Sequence, residues 1–325
     1  MNESGDTARQ QAWTAYWSSG RLHSCASTAG DNYTGAIAAF WRGLFGRMEL
    51  PARVLDLATG NGPLPLLLAE LHGAGVEVDA VDLATVAPAW YDPTRHRGVR
   101  FHPRVRMEAL PFADASFDCI VSQFGFEYGD MEVAVAECSR VARPAAHIAF
   151  VMHHADSVLV RVGREELEHH ARVLGEGGLV AAARGVVPWI ARARAGEAVD
   201  AADAAHARAR YNAAMQELGA AIANSSAPDL LLEVRETIHG LVMAGRDVQS
   251  MLGAIDAYAS ELERARLRTA EMIGHALHAS QVERVAALLA AGRPGFVVEC
   301  AELRQAEGVL AWSLVAGPPS TVVAG

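Results

Sequence analysis

The amino-acid sequence predicts an α/β protein whose parallel sheet is interrupted by a long helical insertion. Patterns of buried strands alternate with helix patterns between Arg53 and His153, an alternation typical of a parallel sheet. About 140 residues of nearly continuous helix pattern follow, and two strand patterns then return near the end of the chain. We therefore expect a sheet domain that is resumed after an all-helical insertion and preceded by a helical N-terminal cap.

Each predicted element has a local signal. Short runs rich in aliphatic residues, typical of buried strands, occupy 53–58, 76–83, 117–122 and 147–153. Helices are expected near 63–73 and 130–142, and a terminal hairpin is expected from strands at 296–301 and 309–316. The predicted domains are a cap at 1–48, a core at 49–155 and 294–325, and a helical lid at 156–293.

The inserted segment shows helical periodicity throughout. Between Val248 and Ala276 the apolar positions follow a near-heptad stripe, which would bury one face of a long helix. Such a stripe either packs within the insertion or seals a homodimer. A large insertion with apolar faces suits a small, hydrophobic ligand better than a protein or nucleic acid.

Composition excludes several classes of protein. The chain has 325 residues, and its 28 basic residues, all arginine, are outnumbered by 38 acidic residues, giving a net charge of −10. This balance argues against nucleic acid or an anionic membrane surface as a partner. The sequence shows neither a signal peptide nor an uninterrupted apolar run of about 18 residues, and its four cysteines form no C-x-x-C pair. We expect a cytoplasmic protein without a bound metal.

The most informative motif is the turn after the first strand. Val54–Leu57 runs into Ala58-Thr59-Gly60-Asn61-Gly62, and a helix begins just beyond. Glycine allows a tight turn and a close approach of a ligand to the backbone. Asp82 follows Gly62 by 20 residues, at the end of the second strand. A carboxylate there can accept hydrogen bonds from the ribose hydroxyls of a nucleoside.

Three interpretations of this turn compete. A glycine turn without a ligand is the simplest, since Gly-x-Gly alone is a weak signal. A dinucleotide site would require a third glycine where Pro65 stands. The third interpretation is a nucleoside with a small charged tail, a description that S-adenosylmethionine satisfies.

Four motifs in order make the chain resemble a known family. They are VLDLATGNG (54–62), VDAVDLA (78–84), EALPFADASFDCIVSQFGFEY (108–128) and ECSRVARP (137–144). Together they resemble the class I S-adenosylmethionine-dependent methyltransferases, and most closely the ubiquinone/menaquinone C-methyltransferase-like group. The resemblance covers about residues 50–154. It implies a Rossmann-like, seven-stranded sheet in which the terminal hairpin supplies the antiparallel strand.

The resemblance also implies a cofactor site for S-adenosylmethionine. Gly60 and Gly62 would admit the methionine end, Asp56 would brace the turn, and Asp82 would hold the ribose. In this chain Arg106 replaces an Asp that often contacts the adenine in the family. The residues that the resemblance assigns to cofactor binding are Asp56, Ala58, Gly60, Asn61, Gly62, Asp82, Leu83, Met107, Glu108, Ala109, Gln123 and Phe124.

Candidate catalytic residues follow the later strands. His153 and His154 lie at the end of the strand predicted at 147–153, and either can act as a general base because histidine titrates near neutrality. Adjacent residues on a strand point to opposite faces, so only one of them can face the cleft. Glu127 and Tyr128, after the preceding strand, are further candidates. In the cap, the side chains expected to reach cofactor or substrate are Tyr16, Arg21, His23 and Tyr33.

The sequence therefore predicts methyl transfer from S-adenosylmethionine to a small, hydrophobic or aromatic acceptor. A histidine base favours O-methylation, whereas the quinone-like motifs favour C-methylation, and N-methylation stays open. An alternative is a catalytically inactive, methyltransferase-like protein that binds a partner through the helical insertion.

Overall fold

The structure is a computed structural model that describes residues 3–24, 32–198, 200–244 and 247–319. Two compact units are present: residues 1–160 with 271–325, and residues 161–270. The first, which we call the sheet unit, contains the strands together with α1 (Glu3–Trp17), α2 (Gly35–Phe45), α3 (Pro63–His72), α4 (Met131–Val141) and α10 (Ala279–Gly292). The second, the helical unit, contains α6 (Leu179–Arg194), α7 (Ala201–Asn224) and α8 (Asp229–Ala244). The chain leaves and re-enters the sheet unit through α5 (Val158–Leu174) and α9 (Val248–His275).

In the described part of the chain, seven strands form one sheet in the order β3-β2-β1-β4-β5-β7-β6. Strands β1 to β5 are parallel, and β7 pairs antiparallel with both β5 and β6. This arrangement confirms the predicted seven-stranded sheet closed by a terminal hairpin. The strands are β1 (Ala52–Leu57), β2 (Val76–Asp82), β3 (Val99–Pro103), β4 (Phe117–Gln123), β5 (Ala142–His153), β6 (Val297–Gln305) and β7 (Gly308–Gly317).

Strand alternation gives the sheet two buried faces. On one face, Leu55, Ile120 and Phe150 pack with residues of α4 and α10. On the other, Val54, Val121 and Val151 pack with residues of α2 and α3, including the fully buried Trp41. A sheet covered by helices on both faces explains why its strands are nearly continuous aliphatic runs.

The helical segment has narrower bounds than the sequence predicts. The expected lid runs from 156 to 293, whereas the compact helical unit spans 161–270. The difference arises mainly from α10, whose Val282, Val285 and Leu289 are buried in the same cluster as α4 and the sheet. This helix therefore belongs to the sheet unit.

Much of the apolar stripe of α9 is buried within the helical unit. Met251, Ile255, Tyr258 and Leu262 are buried there together with side chains of α6, α7 and α8. The sequence left open whether the stripe packs within the insertion or seals a homodimer; these four residues pack within the insertion.

One helical stretch in the described residues, Val158–Arg194, meets the length and apolarity needed to cross a membrane. A single such stretch is weak evidence, because core helices meet the same criterion. This one consists of α5 and α6, which are separated by a turn, and Val180, Val186 and Val187 are buried in the core of the helical unit.

Candidate active site

Four polar side chains form a row across one face of the sheet, near the carboxyl ends of the parallel strands. The register pairs Asp56 with Ala80 on β2 and with Val121 on β4, and it pairs Gln123 with Val151 on β5. Because residues two apart on a strand share a face, Asp82, Asp56, Gln123 and His153 all lie on the face that α2 and α3 cover. All four are buried. Carboxyl ends of parallel strands are where such sheets bind ligands.

A cavity of about 1030 Å³, open solvent included, lies at this edge of the sheet. Its floor contains Asp56, Ala58, Asp82, Gln123 and Phe124. One wall is formed by 105–108, and another by Arg9, Gln10, Trp13 and Trp17 of α1. The size suits a nucleoside-sized ligand and a small second molecule.

Asp82 is anchored by two backbone amides. The N–H of Gly60 donates to its Oδ2 at 2.8 Å, and the N–H of Ala84 donates to its Oδ1 at 2.7 Å. Burial raises the pKa of Asp82 to about 6, although these two hydrogen bonds oppose the shift. A carboxylate has about four lone-pair positions, so each oxygen can still accept a ribose hydroxyl, as predicted.

The glycine turn requires its glycines. Gly62 has φ +74°, and a Cβ there would lie 2.7 Å from Cζ of Phe101. Gly60 has φ +55°, and a Cβ there would lie 2.6 Å from the indole ring of Trp17. Trp17 therefore packs directly on the backbone that the methionine end of the cofactor is expected to approach, so that α1 covers the turn.

Asn61 has a different role from the one predicted. Its Nδ2 donates to the carbonyls of Trp17 and Arg21 at 2.8 and 2.7 Å, and its Oδ1 accepts from the N–H of Ala87. The side chain ties the end of α1 to the glycine turn, and it does not line the cavity. Both ends of its amide are hydrogen-bonded to these backbone groups, so its contribution to a ligand site is indirect.

Three buried polar atoms of residues that line the cavity have no hydrogen-bond partner among the described residues: Oδ2 of Asp56, Oγ1 of Thr59 and Nε2 of Gln123. Burial raises the pKa of Asp56 to about 8, with Thr59 opposing and the Asp82 carboxylate adding to the shift. Unsatisfied buried polar groups are costly, so this floor is built for a polar ligand. An acceptor and a donor side by side fit the amino-acid end of S-adenosylmethionine.

The predicted adenine wall is present in part. Met107 and Glu108 line the cavity, whereas Ala109 does not. Glu108 accepts the N–H of Asp130 through Oε1 at 3.0 Å, and its Oε2 lies 3.5 Å from Nε of Arg106. The arginine that replaces the family Asp thus pairs with Glu108 beside the cavity.

The two histidines at the end of β5 diverge, as strand geometry predicts. His153 is buried, and its Nδ1 lies 2.6 Å from Oε1 of Glu127, which also accepts the His153 N–H at 2.8 Å. Its ring stacks on Phe124 with a centroid distance of 4.2 Å. His153 and Glu127 thus lie behind the cavity wall that Phe124 forms.

His154 does not reach the cavity. Its ring stacks on Trp312 at 4.3 Å, and its Nε2 lies 3.4 Å from Oε1 of Glu302. Both partners belong to the terminal hairpin, because the strand alternation turns His154 to the opposite face from His153. The structure therefore does not bring His154, one of the two candidate bases, to the cavity.

Tyr128 lines the cavity at a junction of charged groups. Its ring stacks on His275 at 4.9 Å, and its carbonyl accepts from Arg9 at 3.3 Å. Arg9 also bonds Oε1 of Glu271 at 2.6 Å and contacts Nε2 of His275 at 3.1 Å. Burial, the nearby Arg9 charge adding to it, lowers the pKa of His275. These contacts fix α1 against the end of α9.

The cap places two of the four predicted side chains at the cavity, together with others that were not predicted. His23 and Tyr33 line the cavity and stack on each other at 4.6 Å. Tyr16 donates to the carbonyl of His23, and the Arg21 guanidinium lies over the Tyr16 ring, so this pair shapes the loop after α1. Sequence reasoning missed the cavity residues Arg9, Gln10, Trp13 and Trp17, although the aromatic spacing at 13 and 17 is one helical turn.

Comparison with known proteins agrees with this geometry. Residues 54–145 match the family model described as a methyltransferase domain. The chain is 37% identical over 107 residues to a demethylmenaquinone methyltransferase of Thermus thermophilus, a match that covers 31% of this chain and 46% of that protein. It is 32% identical over 108 residues to a malonyl-[acyl-carrier protein] O-methyltransferase of Enterobacter lignolyticus, covering 33% and 41%.

A solved structure with a similar segment is 1,6-didemethyltoxoflavin-N1-methyltransferase of Burkholderia thailandensis. The match has 21% identity and a TM-score of 0.37, and it covers 48% of this chain and 66% of that one. The chain spans less than half the length of the curated relatives it matches.

The strand order, the glycine turn and the family match together define a class. Residues 54–145 form a methyltransferase domain of the class I S-adenosylmethionine-dependent type, which confirms the resemblance seen in the sequence.

Proposed function

We propose that the protein transfers a methyl group from S-adenosylmethionine to a small, hydrophobic or aromatic acceptor. The observation that carries this proposal is Asp82, held by the N–H groups of Gly60 and Ala84 in the floor of a cavity with aromatic walls. An inactive, methyltransferase-like binding protein would have no use for this arrangement or for the unpaired polar atoms beside it.

The cofactor supplies an electrophilic methyl group on a sulfonium, and the chain supplies position. Asp82 orients the ribose, Asp56 accepts from the ammonium, and Trp13 and Trp17 exclude water from the cavity. Methyl transfer by in-line displacement depends mainly on such alignment, with the reacting atoms about 3–3.5 Å apart. Closure against water strengthens every polar contact in the site.

For the acceptor, the aromatic side chains Trp13, Tyr33, Phe124 and Tyr128 support a planar or hydrophobic molecule. We propose that Glu127 and His153 act together at this wall. Glu127 holds Nδ1 of His153, and the His153 ring in turn supports Phe124. Because His153 does not line the cavity, we assign this pair to positioning Phe124 and not to removing a proton from the acceptor. Both C- and O-methyltransferases occur among the relatives.

We assign acceptor selection to the helical unit, 161–270. Its chain departs shortly after the carboxyl end of β5, the edge of the sheet at which the cavity lies. Segments inserted at such edges commonly determine the substrate of an α/β enzyme.

Calorimetry with S-adenosylmethionine, S-adenosylhomocysteine and NAD tests the cofactor. We expect binding of the first two and none of NAD. Transfer is tested by incubating the protein with methyl-tritiated S-adenosylmethionine and a bacterial metabolite extract, followed by detection of labelled small molecules. Absence of heat with both adenosyl ligands would refute the proposal.

A further inference from the structure

The amide of Gln123 has a fixed orientation. The indole Nε1 of Trp41 lies 2.5 Å from Oε1 of Gln123, and an indole N–H can only donate. The atom facing Trp41 must therefore be the amide oxygen, and Nε2 must point elsewhere. Gln123 is 7% exposed, and its Nε2 has no hydrogen-bond partner in the described part of the protein. Trp41 thus orients Gln123 so that its Nε2 is a buried donor in the cavity floor.

A buried acceptor lies on the neighbouring strand. Asp56 pairs with Val121, so Gln123 is two residues further along the same face of β4. Among the described residues, Oδ2 of Asp56 also has no hydrogen-bond partner. A single ligand group that needs one acceptor and one donor satisfies both atoms, and an α-amino acid, with its ammonium and carboxylate, is such a group.

The cationic side chains of the cavity have acidic partners of their own. Arg9 bonds Glu271 at 2.6 Å, and Nε of Arg106 lies 3.5 Å from Glu108. Asp56 and Asp82 meanwhile add negative charge to the floor. A ligand carboxylate there needs a donor that is not already engaged; Nε2 of Gln123 supplies one, and the hydroxyl of Thr59 is another polar group without a partner among the described residues.

We propose that Gln123, oriented by Trp41, recognises the α-carboxylate of the methionine end of the cofactor, beside the Asp56 site for the ammonium. This inference rests on the proposed function. It makes Gln123 a specificity determinant for ligands that retain the amino-acid carboxylate.

The test compares three ligands by calorimetry on the full chain. S-adenosylhomocysteine carries both amino-acid groups, its decarboxylated amine lacks the carboxylate, and 5′-methylthioadenosine lacks both. The variant Gln123→Glu keeps an oxygen for the Trp41 N–H and places a carboxylate oxygen where Nε2 lies. We expect it to lower the affinity for S-adenosylhomocysteine about tenfold or more. The affinities for the amine and for 5′-methylthioadenosine should stay within about twofold of those of the unaltered protein.

Two further variants complete the experiment. Trp41→Phe frees the amide to rotate, and we expect a smaller loss confined to S-adenosylhomocysteine. Gln216→Glu makes the same substitution at an exposed position of α7, and all three affinities should stay as in the unaltered protein. Thermal unfolding of each variant confirms that it is folded.

The outcomes separate the two proposals. If Gln123→Glu weakens all three ligands equally, or weakens none, the carboxylate assignment is overturned while the methyltransferase proposal stands. If the unaltered protein binds none of the three, the proposed function itself fails.

Discussion

The sheet unit and the helical unit differ in what they bury. The sheet unit buries Asp56, Asn61, Asp82, Gln123 and Glu127 near the ends of its strands. The core of the helical unit is formed by aliphatic side chains, alanines and two tyrosines, and its buried ionisable groups in the described residues are His169 and His170. Buried polar groups reduce stability unless they are partnered, so the unpartnered Oδ2 of Asp56 and Nε2 of Gln123 among the described residues support our proposal of a ligand site in the sheet unit.

The contrast also separates two kinds of sequence constraint. In the helical unit, apolar residues at helical spacing fill a core, and many exchanges of similar volume would preserve it. In the sheet unit, positions such as Gly62 and Asp82 are fixed by backbone conformation or by a specific hydrogen bond. The chemistry is expected to fail through single changes in the sheet unit, and substrate selection through changes in the helical unit.

The largest effect is expected from removing the helical unit. Replacing 161–270 with a short linker, while α10 is retained, should preserve binding of S-adenosylhomocysteine and abolish methyl transfer to the acceptor. Calorimetry and tritium transfer measure the two properties. Transfer at the native rate would show that the helical unit does not select the acceptor.

A single pair of aspartates sharpens the comparison. Asp82→Ala should make the binding free energy of S-adenosylhomocysteine less favourable by about 1.5–3 kcal/mol, because charge-assisted hydrogen bonds to the ribose are lost. Asp256→Ala, which removes an exposed ion pair with Arg184 in the helical unit, should leave the affinity unchanged. Equal affinities for both variants in a titration would contradict the ribose assignment.

Two glycines give opposite expectations for stability. Gly62→Ala should lower the free energy of unfolding by about 1–3 kcal/mol, because its φ is +74° and its Cβ would meet Phe101. Gly219→Ala in α7, where a Cβ meets nothing within 4 Å, should raise it by about 0.5–1 kcal/mol. Urea unfolding of both variants provides the measurement. Stabilisation by Gly62→Ala would mean that the turn is not constrained as described.

The last prediction concerns the pH dependence of binding. The pKa of Asp56 is raised to about 8, so below pH 8 its carboxyl carries a proton that a ligand ammonium must displace. The affinity for S-adenosylhomocysteine should therefore rise with pH between about 6 and 8, by at most about tenfold per pH unit. Binding near neutral pH should release protons, which calorimetry in buffers of different ionisation enthalpy detects.

The variant Asp56→Asn provides the control for this prediction. It should flatten the pH dependence in the same titrations. A pH dependence that survives the substitution would assign the effect to another group, such as Asp82, whose pKa is raised to about 6.

The sequence predicted most of the sheet because its buried strands are continuous aliphatic runs. It missed β3, whose edge position leaves Arg100 and Pro103 exposed and breaks the apolar pattern. It also placed α10 in the insertion, since a helix pattern shows an apolar face but not the partner that covers it. Packing against α4 decides that question.

Local motifs led to part of the candidate site: Asp82 lines the cavity, whereas Gly62 shapes the turn and is not among the lining residues. Contacts between segments far apart in the sequence could not be predicted from local patterns. The hydrogen bond from Trp41 to Gln123 joins residues 82 positions apart, and no local sequence pattern predicts it. Strand alternation indicated that only one of His153 and His154 faces the cleft, but the choice depends on register, which the structure supplies.

The indole ring of Trp17, which packs on Gly60, has a consequence for kinetics. In the proposed binding mode the ring covers the backbone that the methionine end would approach, and Asn61 ties the end of α1 in place. We therefore expect entry and departure of the cofactor to require withdrawal of the last turn of α1. We expect the residence time of S-adenosylhomocysteine to follow the motion of this helix, as product release limits turnover in many enzymes with a mobile cover.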